Sequence, residues 1–159
     1  MQLTVVALGK VRQRFIAQGI DEYAKRIGNY ASLRILEAKE QPYKEPLGSR
    51  QRDRVLQAEQ ERVEKLIPPH SFTIALDVGG RTMSSEEFSA LLTELMISGR
   101  SQVTFLIGSS LGLAQNLLDS CQLRLSFGPM TFPHELARLM LLEQLYRAFT
   151  IMRKEPYHK

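Results

Sequence analysis

Short apolar runs alternate along this chain with segments whose apolar residues recur every three or four positions. "LTVVAL" (3–8), "FTIALDV" (72–78), "VTFLIG" (103–108) and "LRLSF" (123–127) are compact, apolar-rich runs that predict strands. "SLRILEA" (32–38) alternates apolar with polar residues and predicts a fifth. Between the first and second of these, residues 12–27 set Phe15, Ile16, Ile20, Tyr23 and Ile27 near helical period, with Arg12, Arg14, Lys25 and Arg26 opposite. Residues 85–97 and 113–120 predict two more helices. Residues 50–66 predict a very polar one, anchored only by Val55, Leu56, Val63 and Leu66 and stopped by Pro68-Pro69. The stretch 39–49, with two prolines and a glycine, is a loop. Strands alternating with helices predict an α/β fold in one domain, 1–159: a mostly parallel sheet with helices on both faces.

The last helix, from Pro133 to about Arg153, breaks the pattern. It is apolar almost all round, carrying Leu136, Leu139, Met140, Leu141, Leu142, Leu145, Tyr146, Phe149, Ile151 and Met152. A surface helix needs one apolar stripe, so this one must bury a second face. A homodimer interface is the economical expectation, and a central helix inside one chain is the competing one. Arg138, Glu143 and Arg147 interrupt the run, so a membrane span is not expected.

Three of the strands run into loops bent by Gly or Pro: "DVGGRT", "GSSLG" and "FGPMTFP". Ligands of open parallel sheets bind beyond the carboxyl ends of the strands, so these loops predict a cleft with exposed backbone. "GSSLG" also fits G-x-S-x-G, which would make Ser110 a nucleophile with Asp119 and His134 following in hydrolase order. Against that, Asp119 falls about two turns along the helix that the loop opens, and no HGGG-type oxyanion loop is present. The other reading is that Gly108 and Gly112 let the backbone approach a ligand closely. His134 and Arg138, four residues apart, share a face at the start of the last helix, close to the cleft. Neither a Rossmann nor a Walker pattern occurs. His70, His134 and His158 are scattered, and with one cysteine they offer no metal-ligand spacing.

Composition narrows the picture only a little. With 159 residues, 43% apolar and 24% charged, the chain can bury one real core. Its single cysteine, Cys121, excludes an internal disulfide and fits a reducing cytoplasm. No basic region precedes the first apolar run, which therefore reads as a strand and not a signal peptide. A net charge of +4 permits an RNA partner without requiring one.

The opening "LTVVALGK", then "YAKRIGNY", "ALDVGGRTMSSEEFS", "FLIGSSLGL", "LSFGPMTFPHELARLMLLEQLYRAF" and the terminal "PYHK" together resemble the SPOUT-class methyltransferases over the whole chain. The closest resemblance is to the ribosomal RNA large subunit methyltransferase H family. It implies a C-terminal trefoil knot, a homodimer in the cytoplasm, and S-adenosylmethionine as cofactor with no metal. The implied reaction is methylation of N3 of a pseudouridine in 23S rRNA, on the assembled 70S ribosome. Cofactor contacts are implied at Leu76, Gly108, Phe127, Gly128, Pro129, Met130, Thr131 and Phe132. His134 and His158 are the candidate bases for the N3 proton. Arg138 would stabilise charge on the flanking carbonyl oxygens, and Tyr157 would stack on the target base. The tail is therefore expected at an active site and not frayed. One departure stands out: the family usually has a second glycine where this chain has Ser109. A non-catalytic RNA-binding protein and a serine hydrolase are the alternatives.

Overall fold

The computed structural model describes residues 1–158. In chain order it contains β1 (Gln2–Leu8), α1 (Arg14–Ile27), β2 (Ser32–Ala38), α2 (Ser49–Glu64) and β3 (Phe72–Thr82). These are followed by α3 (Ser85–Ile97), β4 (Gln102–Ile107), α4 (Gln115–Ser120), β5 (Leu123–Ser126) and α5 (His134–Met152). The five strands form one sheet in the order β2-β1-β4-β3-β5, and every neighbouring pair is parallel.

The side-chain alternation of β1 and β4 sorts the core into two layers. Leu3, Val5, Ala7, Phe105 and Ile107 face α1, α3 and α5, while Val6, Leu8 and Leu106 face α2 and α4. Both strands are buried on both faces, as parallel strands between helical layers must be. This is why their sequences are continuous apolar runs. β2, at the sheet edge, keeps the alternation of a half-covered strand.

α5 sits at the centre of one helical layer. It packs against both α1 and α3, with the sheet beneath it, and no residue from His134 to Met152 is fully exposed. Leu141, Leu142, Leu145, Ala148 and Phe149 fill the core. Gly19 of α1 leaves room for Leu139, whose Cδ1 would stand 2.9 Å from a β-carbon at that position. On the other flank, Ser89 of α3 donates to the Ala148 carbonyl at 2.9 Å. Much of the apolar pattern is thus met inside one chain. That burial agrees with the central-helix reading, while Leu136, Met140, Ile151 and Met152 remain half-buried at the surface of the single chain.

β3 departs from expectation. The sequence reading ends it at Val78, but it runs to Thr82 with a shifted register. Leu76 pairs with Leu125, and so does Arg81, so residues 77–80 arch out of the ladder between two paired segments. Gly80 allows the return, because a β-carbon there would sit 2.6 Å from the Arg124 carbonyl carbon. Arg124 clamps the arch, with its Nε donating to Asp77 Oδ2 at 3.0 Å.

Leu145→Lys should therefore destabilise the single chain, by about 4 kcal/mol or more, because it places an unpaired ammonium in the apolar core. Thermal or urea unfolding checks this. A variant that unfolds like the wild type and differs only in sedimentation would place Leu145 at an interface and not in the core.

Candidate active site

The β3 arch, the β4–α4 loop and the β5–α5 loop meet beyond the carboxyl ends of their strands. They enclose a cavity of about 660 Å³, lined by residues 76–78, 107–113, 125, 127–128, 130–134 and 137. That volume is in the range of small-molecule sites. Its walls are the apolar side chains of Leu76, Ile107, Leu113, Leu125, Phe127, Met130 and Phe132, broken by stretches of bare backbone.

Local chemistry explains the shape. Gly108 ends β4 where the loop folds back on itself. A β-carbon there would stand 2.4 Å from the Gly112 carbonyl carbon, so only glycine fits. Gly112 closes the turn at φ 83°, donating its N–H to the Ser109 carbonyl at 2.9 Å. In the β5–α5 loop, Gly128 has φ 114° and open space where a side chain would be. Ser126 Oγ accepts the Gly128 N–H at 3.1 Å and lies 3.0 Å from the Val78 carbonyl, which ties this loop to the β3 arch.

Ser109 has a partner that the sequence reading missed. Its hydroxyl donates to Glu59 Oε2 at 2.8 Å, and Glu59 is only 1% exposed. The other carboxyl oxygen accepts the Gln41 N–H at 2.9 Å. Glu59 lies four residues from both Val55 and Val63, on the buried stripe of α2. That spacing was the available signal, hidden because the rest of the helix is so polar. The hydroxymethyl group thus points away from the cavity, into the α2 packing, and pins the β4–α4 loop to α2.

The residues singled out in the sequence separate into three places. Leu76, Gly108, Phe127, Gly128, Met130, Thr131 and Phe132 all line the cavity, and Pro129 is exposed beside it. His134 lines it too. Arg138 lies beneath, 1% exposed, donating to Glu37 Oε1 at 2.6 Å and to the Gly9 carbonyl at 2.9 Å. Sharing a helix face with His134 carries it one turn deeper, into the β1 and β2 ends.

Tyr157 and His158 form a third group, packed on the helical layer. Tyr157 donates to Glu143 Oε1 at 2.9 Å and meets the Tyr146 ring edge-on at 4.8 Å between centroids. Burial, followed by hydrogen bonds to Tyr23 and Glu143, raises its ionisation well above the usual tyrosine range, so it stays a neutral phenol. His158 Nε2 sits 2.7 Å from Glu86 Oε1 at the start of α3. The Ser84 hydroxyl, Glu86's own backbone N–H and then His158 hold that carboxylate down at about 2. Neither Tyr157 nor His158 lines the 660 Å³ cavity. Lys159, the last residue of the tail, lies outside the described residues.

The hydrolase constellation is not assembled. Ser110 Oγ pairs with Tyr43 OH at 2.9 Å, and Asp119 is held by Gln115 along α4, outside the cavity.

Residues 1–158 match the family model described as "Predicted SPOUT methyltransferase". The chain is 47% identical over 159 residues to "Ribosomal RNA large subunit methyltransferase H" of Carboxydothermus hydrogenoformans, covering all of both chains. It is also 47% identical to the protein of that name in Moorella thermoacetica, covering all of this chain and 99% of the other. The chain therefore belongs to the SPOUT methyltransferases and, within them, to the ribosomal RNA large subunit methyltransferase H family. A crystal structure of a probable methyltransferase from Bordetella pertussis shares the fold, with a TM-score of 0.55 at 16% identity over 92% of this chain and 95% of that one. No described helix is long and apolar enough to cross a membrane.

The Glu59–Ser109 contact should behave as a coupled pair. Glu59→Ala alone leaves the Ser109 hydroxyl and Gln41 N–H short of an acceptor and should cost about 1–3 kcal/mol. A double-mutant cycle with Ser109→Gly, read by urea unfolding, should return a coupling of about 1 kcal/mol or more. Strict additivity would mean that the hydroxyl is not held by the carboxylate.

Proposed function

We propose that the protein transfers the methyl group of S-adenosylmethionine to N3 of a pseudouridine in 23S rRNA, on the assembled 70S ribosome. The observation that carries this reading is the single cavity lined by Leu76, Gly108, Phe127, Gly128, Met130, Thr131 and Phe132, with His134 at its wall. The names of the curated relatives support ribosomal RNA as substrate.

The residues present fit the cofactor. The apolar side chains suit an adenine ring and a thioether chain, and the bare backbone of the bent loops suits the polar groups between them. The open space at Gly128 leaves that backbone accessible to a ligand. Leu76, Gly108 and residues 127–132 would hold it, with Pro129 at the rim. When bound, it supplies an electrophilic methyl group on a sulfonium sulfur.

The chain's own residues do the rest. The N3–H of pseudouridine is a weak acid, and a lone pair becomes free only as its proton leaves. Of the cavity's two proton-accepting side chains, Asp77 is held by Arg124, which leaves His134 to accept that proton. Arg138 is engaged by Glu37 and Gly9, so it acts first as a positioning residue that fixes the start of α5 against the β1 and β2 ends. His158 is the second candidate base, and Tyr157 can supply an aromatic face to the target base. Both lie away from their own chain's cavity, which supports a homodimer in which each tail serves the partner's site. The β5–α5 segment forms the trefoil knot of the class, and the protein works in the cytoplasm, where ribosomes are.

Methyl transfer from labelled S-adenosylmethionine to ribosomes lacking the modification tests the reading. Label should enter 23S rRNA at N3 of one pseudouridine, and its absence from all RNA would contradict the proposal. Deleting Tyr157 to Lys159 should leave cofactor affinity by calorimetry nearly unchanged and slow transfer roughly a hundredfold. Transfer at the normal rate would strip the tail of its role and leave His134 as the base.

A further inference from the structure

A second cavity, of about 780 Å³, opens beside the first at the carboxyl ends of β1, β2 and β4. The β1–α1 loop, the β2–α2 loop and Glu59 of α2 form its walls, and it shares Ser109 and Ser110 with the methyl-donor cavity. Its charge is arranged asymmetrically. Of its three carboxylates, Glu37 is engaged by Arg138 and Glu59 by the Gln41 N–H and Ser109, while Glu40 lies against Gly9 without an ion pair among the described residues. Lys10, Arg12 and Lys39 stand exposed around it, and among the described residues none makes a side-chain ion pair. At the boundary between the two cavities stands Tyr43, half-buried, its hydroxyl 2.9 Å from Ser110 Oγ.

Unpaired cations around a deep cavity, with a tethered aromatic ring at the wall shared with a small-molecule site, suit a single strand of nucleic acid. Backbone phosphates go to ammonium and guanidinium groups, and an unpaired base goes to the ring. A duplex would need a broad basic face, whereas this site is a concave cavity. We propose that this second cavity is the acceptor subsite. In it the single-stranded RNA segment carrying the target nucleotide lays its phosphates on Lys10, Arg12 and Lys39, stacks a base on Tyr43, and reaches the methyl donor across Ser109-Ser110. This rests on the reading of the protein as an rRNA methyltransferase, and it assigns substrate binding to residues outside the cofactor loops.

The test uses the full-length protein and measures direct binding of a single-stranded 23S rRNA fragment as a function of salt, alongside methyl transfer. Lys10→Gln with Lys39→Gln should lower the slope of log affinity against log salt by about 1.5, close to the loss of two phosphate contacts on a single strand. Lys65→Gln with Arg100→Gln, at the other end of the sheet, removes the same charge and should leave the slope unchanged. Tyr43→Ala should weaken binding roughly tenfold, while Tyr43→Phe, which keeps the ring, should bind as the wild type does. Cofactor affinity should be unchanged in the Lys10/Lys39 and Lys65/Arg100 variants. An unaltered slope in the Lys10/Lys39 variant, an equal change in the distant pair, or no RNA binding by the wild type would overturn the subsite. Binding that follows these expectations without any methyl transfer would overturn the proposed activity and leave the subsite standing.

Discussion

The turn in which Gly108 lies against Gly112 is the contact on which the carboxyl end of this molecule depends. It lets β4, buried on both faces, reverse direction within four residues instead of running on into solvent. The reversed segment becomes a thin wall with the 660 Å³ cavity on one side and the 780 Å³ cavity on the other. Any β-carbon at Gly108 would have to displace backbone, which cannot give way as a flexible side chain can. The wall is fixed from behind as well. Ser109 is bonded to Glu59, and Tyr43 reaches Ser110, so α2 and the β2–α2 loop hold it in place. A helix that looks almost wholly solvated thereby becomes the back support of the site.

The same end of the sheet is braced from below. Arg138 joins α5 to β1 through the Gly9 carbonyl and to β2 through Glu37. Asp77 and Arg124 hold the β3 arch on β5. Each brace links the carboxyl ends of two or more elements that are distant in sequence, so the cavity walls are set by the sheet and not by the loops alone. This is the arrangement a site needs if it is to hold two reactants in register without rebuilding itself at each encounter.

Much of this was legible in the sequence, and the failures have physical causes. Strands with both faces buried must be continuously apolar, so β1 and β4 announced themselves. The three bent loops followed from Gly and Pro at strand ends, and they do converge on one cavity. α5 was legible as a helix with more than one buried face, but periodicity counts buried faces and not the identity of what buries them, so the packing against α1 and α3 was not readable. The extension of β3 past Val78 was unreadable because two glycines mark a turn as readily as a return to the ladder. Arg138 was placed at the cleft because it shares a face with His134. A shared face does not mean a shared depth, and one helical turn is enough to take it under the site. Glu59 was overlooked because a buried carboxylate in a polar helix has no compositional signature. Its only trace was its spacing from Val55 and Val63.

The central claim is that the three strand-end loops form the methyl-donor site, and not the neighbouring cavity between α3 and α5, which shares Leu125, Phe127 and Gly128 with it. Titrating S-adenosylmethionine into isotopically labelled protein and following backbone amide resonances tests it directly. Shifts should concentrate in residues 76–78, 108–112 and 127–132, and should leave Phe88, Met140 and Gln144, which line the neighbouring cavity, essentially where they were. Shifts centred on those three residues, with Gly108 to Gly112 unmoved, would contradict it.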